Sequence, residues 1–157
     1  MALFLGKFAY GVDDKGRVNI PARFREQIAK ELDPTLAIFK GTDQCIFVYP
    51  MSALEEIRSK FAKDQFTADR EARKLQRLMA DGGSTGHPDG QGRITLSEEQ
   101  RQHAGLVKDV VIFGNFNRIE IWNPDRLEEH LGADRGEGID SLAARHFGEP
   151  GGKGTEA

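Results

Sequence analysis

The stretch DDKGR at residues 13–17 recurs as DGQGR at residues 89–93, and both fit the pattern D-x-x-G-R. Each stretch runs straight into alternating apolar residues, VNI in the first case and ITL in the second. The two glycines, Gly16 and Gly92, are 76 positions apart (92 − 16). An internal repeat constrains the architecture before any single element is predicted. Here it predicts two copies of a small β-rich module, each with a turn that ends in an arginine.

The repeat extends beyond the turns through three further pairs of stretches. They are IFKG (38–41) with IFGN (112–115), IFVYP (46–50) with IEIWNP (119–124), and LEE (54–56) with LEE (127–129). Order, residue type and spacing all recur, which a coincidental match would not produce. Because each repeat has only about 45 residues, which is too few for a substantial core of its own, we expect both to share one core.

The pattern of elements predicts an α+β protein. Apolar runs indicate strands over 4–12, 17–20, 36–39, 45–49, 110–113 and 119–122. We expect module 1 over residues 7–54, a helical insertion and linker over 55–82, module 2 over 83–126, a C-terminal helical segment over 127–147 and a disordered tail over 148–157.

Local signals predict where the helices begin and end. Proline is favoured at the first helical position, and Ser-x-x-Glu/Gln is typical of a capping box. The expected features are Pro21 at the first position of a helix, capping boxes at Ser52–Glu55 and Ser97–Gln100, a helix over 67–80, a loop over 82–88, and a helix from Pro124 to about Gly132.

The charge is unevenly distributed, although the net charge of the chain is only −3. Residues 1–30 hold six basic and three acidic residues, a net charge of +3. Residues 123–157 hold eight acidic and four basic residues, a net charge of −4. A basic front end and an acidic back end indicate a polyanion-binding face opposite a solubilising one.

The composition indicates a soluble, cytoplasmic protein. No apolar run approaches the length of a membrane span, and the N-terminal MALFLGKF is too short for a signal peptide. The single cysteine, Cys45, excludes an internal disulfide. We expect it to be a small buried hydrophobe in a reducing compartment. No membrane partner is expected.

Signals of enzyme chemistry are missing from the sequence. The run from Gly11 to Gly16 fits G-x-x-x-x-G, but Arg-Val follows where a phosphate-binding loop needs Lys and Ser or Thr. The four histidines are scattered, and no cysteine or acid joins them at metal-ligand spacing. We therefore predict no catalytic residues, no metal site and no cofactor.

The D-x-x-G-R turn has the chemistry of a binding device. Asp13 and Asp89 can accept backbone N–H groups, and Gly16 and Gly92 permit the unusual backbone angles of a tight turn. The arginine that follows can donate a bidentate pair of hydrogen bonds to phosphate or guanine. Alternatively, it folds back onto the aspartate as a structural ion pair.

The surroundings favour the binding interpretation for the first turn. Arg17 lies near Lys15, Arg23 and Arg25 in the sequence, so these four are the main candidate DNA-binding residues. Arg93 is a fifth candidate, but Gln91, Glu98 and Glu99 surround it, which favours a mainly structural role.

Three stretches together resemble the MraZ family, bacterial transcriptional regulators made of two tandem SpoVT/AbrB-type modules. They are DDKGRVNIPARFRE from Asp13, DGQGRITLSEEQRQHAGL from Asp89 and GNFNRIEIW from Gly114. The resemblance covers residues 1–146. It implies a swapped-hairpin (AbrB-like) β-barrel built from both modules, with helices outside. It places the family's critical arginine at Arg17, with Lys15 beside it.

The resemblance also implies a function. Members of the family form ring-shaped homo-oligomers and bind short direct repeats in double-stranded promoter DNA upstream of division and cell-wall genes. Their main action is repression of their own operon, so a nucleoid-associated location is expected. Two other interpretations stay open. An antitoxin-like protein-binding module would need a long partner-wrapping tail, whereas the tail here is short and glycine-rich. An enzyme on a barrel scaffold would need the missing catalytic residues.

Overall fold

The computed structural model describes residues 2–64 and 69–148. The chain divides into two compact units, Met1–Pro124 and Asp125–Ala157. Eight strands lie in the first unit: β1 Phe4–Gly11, β2 Arg17–Asn19, β3 Leu36–Lys40, β4 Ile46–Pro50, β5 Ser84–Gly86, β6 Arg93–Thr95, β7 Asp109–Phe116 and β8 Arg118–Trp122. The helices are α1 Ala22–Ala29, α2 Met51–Asp64, α3 Arg70–Asp81, α4 Glu98–Ala104, α5 Pro124–Glu137 and α6 Ile139–Phe147.

The strands of the two repeats pair with each other. One sheet has the order β1-β7-β8-β4-β3-β5, and β2 pairs with β6 in a separate two-stranded ribbon. The antiparallel pairs β1–β7, β4–β8 and β2–β6 each join a strand of the first repeat to one of the second. The α+β class and the expectation of a shared sheet are therefore confirmed.

The core is built from repeat-related positions on the inward faces of these strands. Val18 and Ile94 are 0% and 2% exposed, and they lie opposite each other in the β2–β6 ribbon. Ile20 and Leu96, the next inward positions, are equally buried. The same matching holds for Ile38 with Ile112, Ile46 with Ile119 and Val48 with Ile121, all at most 1% exposed. A single hydrophobic core, built by residues of both modules, therefore gives each small module the buried surface that it could not provide alone.

The barrel implied by the resemblance is not confirmed. Among residues 2–64 and 69–148, the larger sheet is open in its strand order, with β1 and β5 at its two edges. The expected module boundaries stay predictions. The tail from residue 149, predicted to be disordered, lies outside the described residues. So do Thr67 and Ala68, the first two residues of the helix predicted over 67–80.

Several predicted boundaries were wrong. Ser52 does not cap a helix, because α2 begins at Met51 directly after β4; the Ser52 hydroxyl instead donates to Glu31 at 3.0 Å. The segment predicted as a loop contains β5, which adds to the free edge of β3. Pro21 is the N-cap rather than the first helical residue of α1. Finally, α5 continues past Gly132 to Glu137, since the first glycine with positive φ is Gly138.

Two other local predictions, the capping box at Ser97 and the burial of Cys45, are confirmed. Ser97 and Gln100 form a capping box, with the Ser97 Oγ accepting from the Gln100 N–H at 3.1 Å and the Gln100 Oε1 accepting from the Ser97 N–H at 2.9 Å. Cys45 is fully buried, and burial raises the pKa of its thiol. In the described part of the chain, no helix has the length and apolar character needed to cross a membrane.

In its described part, the second unit is helical except at Gly138 and Gly148. It contains α6 and all of α5 except Pro124, and Gly138 with φ of 85° separates the two helices. The Nη2 of Arg145 donates to the Glu137 Oε2 at 2.5 Å, which links the two helices by an ion pair.

Candidate nucleic-acid interface

The first D-x-x-G-R turn is organised by the carboxylate of Asp13. Its Oδ1 accepts the backbone N–H groups of Lys15 at 3.0 Å and Arg17 at 2.8 Å, and its Oδ2 accepts the Arg17 Nε at 2.6 Å. Gly16 has φ of +78°, in the left-handed region that favours glycine. The aspartate therefore fixes both the turn backbone and the direction of the arginine.

The second turn repeats this arrangement atom by atom. The Asp89 Oδ1 accepts the N–H groups of Gln91 and Arg93, both at 2.9 Å, and its Oδ2 accepts the Arg93 Nε at 3.0 Å. Gly92 has φ of +79°. The turn-structural roles of the aspartates and glycines stay predictions.

Hydrogen bonding lowers the pKa of both turn aspartates. The backbone N–H of Arg17 is the largest cause that holds the pKa of Asp13 below its ordinary value, and the N–H of Arg93 does the same for Asp89. Desolvation opposes the effect in each case, but further hydrogen bonds from the turn outweigh it. An ionised carboxylate is the form that can accept three N–H groups at once.

The β2–β6 ribbon brings the two arginines onto one face. Arg17 pairs with Thr95 and Arg93 with Asn19, so Arg17 and Arg93 are diagonal neighbours, which places their Cβ atoms roughly 7–8 Å apart. Side chains alternate along a strand, and Val18 and Ile94 point into the core. Arg17, Asn19, Arg93 and Thr95 therefore form the outward face of the ribbon, which we call the ribbon face.

The ion pairs leave donor groups on both arginines. Each pairs with its aspartate through Nε, and within residues 2–64 and 69–148 no hydrogen bond from the Nη1 or Nη2 of either arginine is observed. The side chains of Arg17 and Arg93 are 32% and 22% exposed. The two interpretations of these residues are thus compatible, because one nitrogen holds the turn while two can serve a ligand.

The remaining predicted cations are placed differently. Lys15 is exposed on the first turn, and Arg23 is exposed on α1. Arg25 is half-buried, its Nε donates to the carbonyl of Ile20 at 3.0 Å, and its guanidinium lies against Gly92 of the other module. The structure therefore places Arg17 and Arg93 on one face of the ribbon, whereas Arg25 packs against the second turn.

One of the acidic residues that are near Arg93 in the sequence has another partner in the fold. Glu99, a sequence neighbour of the second turn, is ion-paired with Lys40 of the first module. In their contacts with the turn aspartates, Arg17 and Arg93 are equivalent.

Both halves of the chain match one protein family. A model of the MraZ family, described as "MraZ protein, putative antitoxin-like", matches residues 3–78 and again residues 79–148. The chain belongs to the MraZ family. The double match agrees with the repeat of the two D-x-x-G-R turns.

Individual members of the MraZ family are similar over most of this chain. The "Transcriptional regulator MraZ" of Saccharopolyspora erythraea is 42% identical over 129 residues, which cover 82% of this chain and 87% of the relative. The protein of the same name from Lactobacillus delbrueckii subsp. bulgaricus is 43% identical, with 82% and 86% covered. That from Moorella thermoacetica is 42% identical, again with 82% and 86% covered. These relatives are named as transcriptional regulators, which are not enzymes.

A second polar cluster lies on the face of the large sheet opposite the ribbon-side core. Glu120 is 5% exposed, and its carboxylate accepts the Trp122 Nε1 at 2.9 Å, the Asn115 Nδ2 at 3.0 Å and the Arg118 Nε at 2.8 Å. The Arg118 guanidinium also lies 4.0 Å over the Phe47 ring. The Glu120 carboxylate therefore links three side chains within the fold. Within the described residues, no group of three or more potential metal ligands is found.

Proposed function

We propose that the chain is a sequence-specific DNA-binding transcriptional regulator whose ribbon face contacts double-stranded DNA. The observation that carries this proposal is the shared outward face of Arg17 and Arg93, with Nη groups left for a ligand. A two-stranded ribbon fits the major groove, which is about 12 Å wide, and arginine is the commonest reader of guanine there. Asn19 and Thr95 add neutral hydrogen-bonding groups between the two arginines.

The modest number of cations favours binding by several subunits at once. The ribbon face offers two cations, Arg17 and Arg93, with Lys15 on the adjoining turn, and such a site weakens quickly as salt rises. A ring-shaped homo-oligomer facing spaced direct repeats would gain from effective concentration instead. Leu75 and Leu78 on α3, which are 48% and 67% exposed, support contacts between subunits.

The names of the relatives support a role in transcription. We propose that the target is a set of direct repeats close to the promoter of the chain's own division and cell-wall operon, that binding represses this operon, and that the protein works at the nucleoid. The crossed pairing of β2 with β6 supports a swapped-hairpin arrangement of the two modules.

A binding measurement with matched variants tests the proposal. Fluorescence anisotropy would compare labelled DNA from the chain's own upstream region with a shuffled duplex of the same composition. We expect wild type and Arg58→Ala, a control on the exposed face of α2, to prefer the upstream DNA. Arg17→Ala/Arg93→Ala should lose this preference while keeping its circular dichroism spectrum and oligomer size. Equal affinity of wild type for both duplexes would refute sequence-specific binding.

The alternative function is an antitoxin-like module that neutralises a protein partner, and the family description "putative antitoxin-like" favours it. Its test is purification of the native protein from its own cells under mild conditions. A small partner in stoichiometric amount, together with no DNA preference, would favour this alternative. Purification of the homo-oligomer alone would count against it.

A further inference from the structure

Each turn glycine is covered by an arginine of the other module. A methyl group built on Gly16 would lie 2.9 Å from the Nε of Arg101, which belongs to α4. A methyl group built on Gly92 would lie 2.6 Å from the Nε of Arg25, which belongs to α1. Both glycines are buried, so the two guanidinium groups close over the turns.

The two covering arginines are themselves a repeat pair. Arg25 and Arg101 are 76 positions apart (101 − 25), the same offset as Gly16 and Gly92. Backbone hydrogen bonds follow the same crossed pattern: Ile20 N–H donates to the Gly92 carbonyl at 2.9 Å, and Leu96 N–H donates to the Gly16 carbonyl at 2.8 Å. Each turn glycine therefore accepts a backbone hydrogen bond from the segment that leads into the helix of the other module.

The two covering arginines differ in their hydrogen bonds. The Nε of Arg25 donates to the carbonyl of Ile20. The Nε of Arg101 is buried without a hydrogen-bond partner in the described structure, although it occupies the equivalent position. A buried donor without an acceptor is unfavourable, so the position of Arg101 over the first turn has a free-energy cost that the hydrogen-bonded Arg25 does not have.

We propose that Arg25 and Arg101 are positioning residues that act across the module boundary, with Arg101 setting the shape of the Arg17 turn and Arg25 that of the Arg93 turn. The consequence for DNA binding rests on the proposed function. A change at the covering arginine of one module is therefore expected to alter the turn of the other module.

Spectra of the free protein test the crossed contacts without DNA. Selective ¹⁵N-glycine labelling would follow the amide signals of Gly16 and Gly92 in Arg101→Gln, in Arg25→Gln and in the control Arg58→Gln. We expect Arg101→Gln to move the Gly16 signal most, Arg25→Gln to move the Gly92 signal most, and the control to move neither. Shifts confined to the glycine of the mutated residue's own module, or no shift at either turn, would overturn the proposal.

The turn carboxylates supply a second readout. A loosened first turn should bring the pKa of Asp13 back toward its ordinary value in Arg101→Gln, with Asp89 unchanged, and the reverse should hold in Arg25→Gln. General destabilisation would not give this crossed pattern. If a glutamine variant does not fold, Arg101→Lys and Arg25→Lys keep the charge and the aliphatic stem, and each should give a smaller shift at the same glycine. A lysine shift at the other turn would contradict the crossed assignment.

A double-mutant cycle measures the consequence for binding. Combined with Arg17→Ala, Arg101→Gln should add little further loss of DNA affinity, because both changes disable the same turn. Combined with Arg93→Ala, its effect should be additive. Additivity with Arg17→Ala would instead make Arg101 an independent cation and overturn its positioning role. If wild type shows no preference for the upstream DNA, the proposed function fails, and the glycine spectra still decide the crossed contacts.

Discussion

The two turns have the same interior but different surroundings. In both, one carboxylate accepts two backbone N–H groups and an arginine Nε, and the glycine has nearly the same φ. Around them, Lys15 corresponds to Gln91, and the cover of the first turn lacks the hydrogen bond that anchors Arg25 over the second. Both modules thus share the aspartate and glycine that orient the turn arginine. They differ in the charge at positions 15 and 91 and in the hydrogen bond of the covering arginine.

The largest expected difference between the turns concerns their glycines. Any side chain at either position incurs left-handed strain of about 1–2 kcal/mol. A methyl group on Gly16 would also lie 2.4 Å from the Leu96 carbonyl oxygen, which is backbone, whereas the three atoms nearest to a methyl group on Gly92 all belong to the side chain of Arg25. We expect Gly16→Ala to lower the free energy of unfolding by about 3 kcal/mol and Gly92→Ala by about 1–2 kcal/mol.

Urea unfolding followed by circular dichroism measures both changes. Gly86→Ala is the matched control, because nothing lies within 4 Å of the added methyl group and φ is not positive there. Equal losses for Gly16→Ala and Gly92→Ala would show that the Leu96 carbonyl does not restrict the first turn.

The next expected effect is on DNA affinity. Because Arg17 and Arg93 have the same aspartate contacts and lie on one face, we expect Arg17→Ala and Arg93→Ala to weaken binding similarly, each by about 1–3 kcal/mol. Each should reduce the salt dependence of binding by about one phosphate contact if the contact is to phosphate. Anisotropy titrations at several salt concentrations provide both values. A loss confined to Arg17→Ala would restore the distinction that the sequence surroundings suggested.

The pH dependence of stability compares the two aspartates. Each has a folded-state pKa below its ordinary value of 3.8. The unfolded chain therefore binds the proton more readily, so each carboxylate stabilises the fold above about pH 4 and loses this effect as pH falls. We expect Asp13→Asn and Asp89→Asn to reduce stability at pH 7 and to flatten its fall below pH 4. Unchanged acid unfolding curves in both variants would contradict the assigned hydrogen bonds.

The smallest expected effect comes from the charge that differs between the turns. Lys15→Gln should lower DNA affinity a few-fold and reduce the slope of log affinity against log salt by about 0.9, whereas Gln91→Lys should do the opposite. The double exchange Lys15→Gln/Gln91→Lys should restore the wild-type slope if both turns lie equally close to the phosphates. A slope that stays reduced in the double exchange would show that the first turn lies closer to them.

Much of the fold could be predicted because a repeat carries long-range information. Matched positions such as Val18 and Ile94 belong to one core, and the capping box at Ser97 follows from its own residues. The same signal at Ser52 failed, since the chain passes from β4 into α2 without a turn. Strand β5 was missed because Ser-Thr-Gly has little strand character, and the free edge of β3 recruits it.

The two turns of the candidate site could be predicted from the sequence, but their position side by side could not. Both turns were recognised, yet their meeting in the ribbon depends on pairing between distant strands. One of the charges near Arg93 in the sequence, that of Glu99, is paired with Lys40 in the fold. Arg101 was missed, although its offset of 76 from Arg25 was a usable signal.

The central claim is that the ribbon face lies against DNA, and site-specific photocrosslinking tests it most directly. A photoreactive phenylalanine analogue would replace Thr95, which is exposed between the two arginines, or Ser141 on α6 as the control. With radiolabelled upstream DNA, we predict a crosslink from position 95 that an excess of unlabelled upstream DNA removes, and none from position 141. A crosslink from position 141 with none from position 95 would contradict the claim.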